Sequence, residues 1–199
     1  KMKFKNIINI KNILQLTKPI RYFFDALTFN FSKNKKNLKN LKGAIKGKPL
    51  LIVGNGPSIN NTPLDKFSNT FSIGMNKIDM IFKKTTWRPD YIIATNTLVI
   101  KQHWEKMINT KIPTFLSWKS RFFIPLWKRN KFSFFLNDNN SDFKKDISNS
   151  VGVAGTVTYT ALQFAHYLEA NPVIIVGVDH NFAYEGKPNE YKLRKGDDI

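Results

Sequence analysis

From residue 49 onward the chain alternates between short apolar runs and stretches with helical periodicity. The runs at 50–54, 70–75, 90–95, 112–117 and 172–178 are rich in Ile, Val and Phe and bounded by Gly, Pro, Asn or Thr, which predicts strands. Several of them, led by Leu50-Leu51-Ile52-Val53, are apolar throughout and do not alternate. That pattern fits strands covered on both faces, as in a parallel sheet. Between them, 77–84, 98–109 and 155–169 carry helical spacing. Strands separated by helices predict βαβ units and an α/β fold with a doubly wound, mainly parallel sheet.

Residues 1–48 follow a different rule. Ile7, Ile10, Ile13, Leu14 and, after Pro19, Phe23, Phe24 and Leu27 recur at helical spacing among Lys3, Lys5, Lys11, Lys18 and Arg21. This predicts a basic amphipathic helical extension, suited to an anionic membrane surface or to packing on the domain. Residues 33–48 read as a solvated linker or frayed helix. The expected division is therefore a helical extension and linker over 1–48 and one domain over 49–199.

Composition sharpens this picture. The chain has 199 residues and a net charge of +18, and 13 Lys or Arg against one acid, Asp25, fall within residues 1–48. Most of the basicity thus belongs to the extension. No cysteine is present, which excludes disulfides and thiolate metal sites. With three histidines a zinc site is not expected. No apolar run reaches the roughly 18 residues of a membrane span.

The segment 115–135 interleaves Trp118, Phe122, Phe123, Trp127, Phe132, Phe134 and Phe135 with Lys119, Arg121, Lys128, Arg129 and Lys131. It reads as an irregular insertion whose aromatics are buried, form a lid, or face a membrane. A stacking platform for single-stranded nucleic acid has the same composition, but no nucleic-acid module accompanies it and nucleic acid is not the expected partner.

The chemistry gathers at the predicted strand ends. Gly54-Asn55-Gly56-Pro57-Ser58 follows the first strand, Gly74-Met75-Asn76 ends the second and Thr95-Asn96-Thr97 the third. Gly152-Val153-Ala154-Gly155-Thr156 precedes the last helix, and Gly177-Val178-Asp179-His180 ends the last strand. In a parallel sheet these termini open on one edge, so Asn55, Asn76, Asn96, Thr156, Asp179 and His180 should converge on one cleft. Asparagine offers two donors and an acceptor to a base or ribose. The small-residue turn at Gly155 could present backbone N–H groups to a phosphate. The third glycine of a dinucleotide fingerprint is missing. Each asparagine taken singly also suits a turn or a cap. His103 and His166 fall inside helices and read as surface or packing residues, whereas His180 stands at a strand end with a pKa usable in acid–base work.

These motifs, from Gly54-Asn55-Gly56-Pro57-Ser58 through Gly74-Met75-Asn76 and Thr156-Val157-Thr158-Tyr159 to Val176-Gly177-Val178-Asp179-His180, resemble two related groups over roughly 49–198. One is the MptE-like 6-hydroxymethylpterin diphosphokinase family. The other comprises the bacterial sialyltransferases of glycosyltransferase family 42 and the related flagellin-glycosylating Maf proteins. The resemblance implies a Rossmann-like nucleotide-binding domain in which Gly54, Asn55, Gly56, Ser58, Asn76, Asn96, Gly155 and Thr156 hold the nucleotide. His180, Asp179 and Tyr184 become the catalytic candidates. The sialyltransferases place tyrosines directly after the last Gly-Ile-Asp, and their catalytic histidine lies well downstream. This chain has His180 and Asn181 there instead, and a C-terminally truncated domain is expected.

The function implied is transfer of a sugar, a CMP-linked nonulosonate, from a nucleotide-sugar donor to a cell-surface glycan or lipid-linked acceptor, without a required cofactor. The alternatives are diphosphoryl transfer from ATP to a pterin alcohol, which would use Mg²⁺, and a non-catalytic nucleotide-binding module. A cytoplasmic protein with peripheral contact to the inner membrane face through residues 1–48 is expected.

Overall fold

A computed structural model describes residues 18–138 and 140–179. Two helices, α1 (Lys18–Asn30) and α2 (Lys33–Lys39), precede the sheet. The six strands are β1 (Leu50–Val53), β2 (Phe71–Met75), β3 (Tyr91–Ala94), β4 (Thr114–Ser117), β5 (Ser133–Phe135) and β6 (Val173–Val176). Helix α3 (Thr97–Asn109) joins β3 to β4, and α4 (Val157–Tyr167) precedes β6. The strand order is β5-β4-β3-β2-β1-β6, and every pairing is parallel. This is a Rossmann-like α/β fold. Its switch point lies at β1, whose neighbours β2 and β6 are reached from opposite directions.

β1 explains the apolar run that predicted it. All four residues are fully buried, and they alternate between two cores. Leu50 and Ile52 join Ile73, Met75 and Ile93 beneath Ala161, Phe164 and Ala165 of α4. Leu51 and Val53 join Ile92 under Ile59, Leu64, Ile78, Ile81 and Trp87 on the opposite face. That second face is covered by short 3₁₀ turns rather than α-helices, at Pro57–Asn61, Leu64–Phe67 and Ile78–Lys83. The helix expected at 77–84 is therefore a 3₁₀ turn. Ile78 and Ile81, three residues apart, eclipse one another in that geometry and both reach the sheet.

The 115–135 segment departs from an irregular insertion. After β4 it forms two 3₁₀ turns, Trp118–Phe123 and Leu126–Lys131, and then β5, a sixth strand. Phe134 and Phe135 are buried there, and Phe135 stacks edge-on against Phe164 of α4. A strand of three residues is too short to show periodicity in the sequence.

Residues 33–48 pack onto the body. Leu38 is fully buried and Ile45 nearly so. The N–H groups of Gly43, Ile45 and Gly47 donate to the carbonyls of Tyr167, Leu168 and Glu169, at the C-terminal end of α4. Helix α1 docks through Phe29, edge-on to Trp118, and through an Asp25–Arg121 ion pair of 2.7 Å. Residues 1–17, with Ile7, Ile10, Ile13 and Leu14, lie outside the described residues, as do His180 and Tyr184. Among the described residues no helix is long and apolar enough to cross a membrane.

Candidate functional site

The parallel sheet sets Asn96, Asn76, Asn55 and Asp179 at the carboxyl ends of β3, β2, β1 and β6, in that spatial order. Neighbouring strands lie about 4.8 Å apart, so the row spans roughly 15 Å. This edge divides into two hollows with the first turn of α4 bordering both. The larger, about 590 Å³, is lined by Ser58, Thr62, Thr158 and the segment Ile175–Asp179. The smaller, about 200 Å³, is lined by Thr95, Asn96, Asn137, Val153, Gly155, Thr156 and Thr160. Of the residues expected to meet in one cleft, Asn96 and Thr156 line one hollow and Asp179 another, Asn55 and Asn76 line neither, and His180 lies outside the described residues.

At the switch point the glycines serve contact between backbones. The Gly54 N–H donates to Val176 and the Gly56 N–H to Gly177, each at 2.8 Å. A Cβ on Gly54 would overlap the Gly177 carbonyl oxygen, and one on Gly56 would come within 2.6 Å of Asp179 Oδ2. Gly54 and Gly56 thus bring the β1 loop against the β6 loop. Gly177 itself adopts a left-handed backbone, with φ of +67°, open to glycine without strain. Asp179 then closes the junction. Its Oδ2 accepts the Ser58 N–H at 2.8 Å, and its Oδ1 accepts the Ser58 hydroxyl in a short hydrogen bond. The Ser58 hydroxyl and then its N–H hold the Asp179 carboxyl below the usual carboxylate range. A carboxylate therefore occupies the donors that a phosphate would take on a glycine loop of this kind.

The three asparagines differ in what they leave free. Asn96 caps α3, its Oδ1 accepting from Leu98 at 2.9 Å and Val99 at 3.5 Å. Its amide N–H groups remain for a ligand. Asn55 is half-buried, and its side chain makes no hydrogen bond among the described residues. Asn76 is the unusual one. It holds φ at +51°, its backbone N–H donates to Ile93 at 2.9 Å, and its Oδ1 is buried with no hydrogen-bond partner among the described residues. A left-handed non-glycine residue and an orphaned acceptor coincide at one position on the edge where ligands bind. A buried acceptor without a partner costs free energy unless a donor arrives from outside.

Helix α4 supplies the positive end. Thr156 caps it, Oγ1 accepting from Tyr159 at 3.3 Å, and Gly155 precedes it with φ of +79° and open space around it. The loop leading there is fixed by Gln163, which is fully buried. Its Oε1 accepts from Gly152 at 2.8 Å and Lys144 at 3.0 Å, and its amide donates to the Gly152 and Tyr159 carbonyls, both at 3.1 Å. All four capacities of the amide are used.

Two contributors escaped the sequence reading. Asn137, buried beside the smaller hollow, accepts a short hydrogen bond from the Ser117 hydroxyl. It follows β5 as the other asparagines follow their strands, so the same signature was present at Phe134-Phe135-Leu136-Asn137. Gln163 gave no signal, being one polar residue in a helix. His103 is buried and bonded to Asp79 at 2.6 Å, whereas His166 is exposed, edge-on to Phe143. Among the described residues no group of three His, Asp or Glu could hold a metal ion. Asp179 is the one carboxylate lining either hollow, and both its oxygens already face Ser58.

Comparison with known proteins adds the following. Residues 25–185 match the family model described as 6-hydroxymethylpterin diphosphokinase MptE-like. Among solved structures, the chain is similar to the MAf glycosyltransferase from Magnetospirillum magneticum AMB-1, with a TM-score of 0.51 and 18% identity. The similarity covers 69% of this chain and 24% of that one. The chain thus spans about a quarter of that protein's length, and at this identity the likeness is one of fold. The curated proteins include no match.

Proposed function

The chain belongs to the 6-hydroxymethylpterin diphosphokinase MptE-like family, and from that premise we propose a transferase that takes its group from a nucleotide donor held along the carboxyl edge of the sheet. The observation that carries this reading is the buried, unpartnered Oδ1 of Asn76 between Asn55 and Asn96. An exocyclic amine or ribose hydroxyl would satisfy it. Asn55 and the Asn96 amide would complete recognition of the nucleoside, and the α4 N-terminus at Gly155 and Thr156 would take the phosphate.

Between the two transfers that the resemblance implies, we favour glycosyl transfer from a CMP-linked sugar. Asp179 already occupies the Ser58 donors, and its negative charge disfavours a polyphosphate on the β1 loop. A donor with a single phosphate needs only the α4 end. In the proposed reaction, His180 takes the proton of the acceptor hydroxyl as that oxygen bonds to the anomeric carbon. The bond from that carbon to the phosphate oxygen breaks, and CMP leaves with the electron pair. Tyr184 would donate to the leaving phosphate, and Asp179 would fix the end of β6 that precedes both in the chain. The acceptor would be a cell-surface glycan or a lipid-linked precursor.

The family's description supports the second reading, diphosphoryl transfer from ATP. That reaction would draw on Mg²⁺ to neutralise the phosphate charge. The described residues offer it one carboxylate, Asp179, and no set of ligands.

Thermal-shift measurements on the 199-residue chain with CMP, UDP, GTP and ATP, with and without Mg²⁺, separate the two. Stabilisation by CMP without metal, lost in Asn55→Ala, is expected. Stabilisation by ATP only with Mg²⁺ would replace the first reading by the second, and no response to any nucleotide would overturn both.

A further inference from the structure

Helix α1 is apolar on two opposite sides. Its inner side, Tyr22, Ala26 and Phe29, packs on the body. Its outer side carries Ile20, Phe23, Phe24 and Leu27, all exposed, and Phe31 follows just beyond its end at 86% exposure. A surface helix of a soluble domain normally turns polar residues outward. Next to α1, the 3₁₀ turns after β4 expose Phe122, Phe123, Leu126 and Trp127. Arg121 ties the two elements together. It pairs with Asp25 of α1 at 2.7 Å and lies 4.0 Å from the Phe122 ring and 4.3 Å from the Trp118 ring. Nine large exposed apolar side chains thus fall on two stretches of chain that Arg121 ties together, well beyond the single exposed residues common on protein surfaces.

The surrounding charge selects the partner. The two turns hold Lys119, Arg121, Lys128, Arg129 and Lys131 and no acid. The single acid of α1 and α2, Asp25, is taken by Arg121, and Arg21, Lys128 and Lys131 are exposed. Aromatic and aliphatic groups ringed by cations match the interface of an anionic bilayer, where the apolar groups enter the headgroup boundary and the cations meet lipid phosphates. Ile20, Leu27 and Leu126 have no ring to stack on a base, which disfavours nucleic acid.

We propose that α1 and the turns Trp118–Phe123 and Leu126–Lys131 form one face that docks on an anionic lipid surface. The face includes the carboxyl end of β4, so it shares the sheet edge that carries the candidate site. Docking would hold that edge close to the membrane, whichever reaction the site performs.

Trp127 provides the test. It is 76% exposed, whereas Trp87 and Trp118 are buried and Trp104 is half-buried. The full chain is titrated with neutral phosphatidylcholine vesicles and with vesicles containing phosphatidylglycerol. Binding to the anionic vesicles is expected to be at least roughly tenfold tighter. The emission should shift to the blue and be quenched by brominated acyl chains, and Trp127→Phe should remove most of that change. Phe23→Ser/Phe24→Ser and Leu126→Ser, at exposed positions that leave the fold intact by circular dichroism, should each weaken binding on the order of tenfold. Equal binding to both vesicles, binding untouched by these substitutions, or absence of quenching would overturn the proposal. So would a dimer in sedimentation velocity that the same substitutions dissociate, or a single-stranded oligonucleotide that binds more tightly and displaces the vesicles. No catalytic readout enters, so the outcome is independent of the proposed reaction.

Discussion

Asn76→Gly isolates the ligand role of the site from its structural role. Glycine accepts the φ of +51° without a Cβ clash, and the substitution deletes a side-chain oxygen that is buried without a hydrogen-bond partner among the described residues. A buried unpaired acceptor costs about 1–3 kcal/mol. Glycine returns about 0.5–1 kcal/mol of that through its greater freedom in the unfolded chain. The ligand-free variant should therefore gain about 1 kcal/mol, or roughly 2–4 °C in Tm for a chain of this size. Binding should move the other way. With the donor at a hundred times its Kd the wild-type chain gains about 2.7 kcal/mol. Losing a hydrogen bond of about 2 kcal/mol weakens Kd roughly thirtyfold, and the gain at the same concentration falls below about 1 kcal/mol. The assay is differential scanning fluorimetry with CMP, checked by calorimetric titration. A variant that melts several degrees lower without ligand would show that Asn76 Oδ1 is satisfied within the protein. An unchanged response to CMP would show that no ligand meets it. Either result refutes the assignment.

Gly54→Ala should cost about 1–3 kcal/mol, because its Cβ meets the backbone of Gly177 rather than a movable side chain; a urea midpoint equal to wild type would contradict that packing. Gln163→Leu strands the N–H groups of Gly152 and Lys144 and two carbonyls. About 2–4 kcal/mol should be lost, with faster amide exchange at Gly152, and unchanged exchange would show that the loop holds itself. Asp179 has a folded pKa lowered by Ser58, so its contribution is present above its unfolded pKa, about 4, and lost as pH falls through the folded value. The stability gap between wild type and Asp179→Asn should accordingly be constant from neutral pH to about pH 5 and close below it. A gap that widens on acidification would reverse the sign of the linkage.

The sheet was legible where burial is uniform. β1, β2, β3 and β4 read as apolar runs because both faces of an inner parallel strand are covered. β6 reads the same way although it ends the sheet and leaves Ile174 and Ile175 exposed, and the strand-end asparagines then marked one edge without any tertiary information. β5 was not legible, since Ser133-Phe134-Phe135 is short and sits in a cluster of aromatics with mixed fates. Phe134 and Phe135 are core, while Phe122 and Trp127 face solvent. Composition cannot tell these apart, because the distinction depends on whether each residue falls in β5 or in a 3₁₀ turn. The packing of residues 33–48 was hidden for a related reason. It rests on Leu38 and Ile45, with Leu41 packed beside them, and on backbone hydrogen bonds from Gly43, Ile45 and Gly47, which leave almost no trace in a lysine-rich segment. Gln163 belongs to the same class, as its role exists only once the loop at Gly152 has folded back onto α4.

The two glycines of the first loop show how a correct signal can carry a different cause. Gly-Asn-Gly after a buried strand reads as a backbone cleared for a ligand. In the structure Gly54 is cleared for Gly177, and Gly56 for Asp179. The close approach is real, but the partner is the chain itself, brought there by β6 pairing in parallel with β1. This reassigns the chemistry of the edge. With the Ser58 N–H and hydroxyl held by Asp179, the donors of that first turn are taken, and since the N-terminus of α3 is capped by Asn96 itself, the other helix N-terminus at this edge is α4 at Gly155 and Thr156. A donor bound here would run from Asn55 and Asn76 toward α4, with its phosphate over the second hollow and its transferred group toward the larger one beside Asp179. Charge at the two ends separates this orientation from its reverse. Thr156→Asp, which adds a carboxylate at the α4 end, should weaken CMP far more than cytidine. Equal weakening of both would place the phosphate elsewhere.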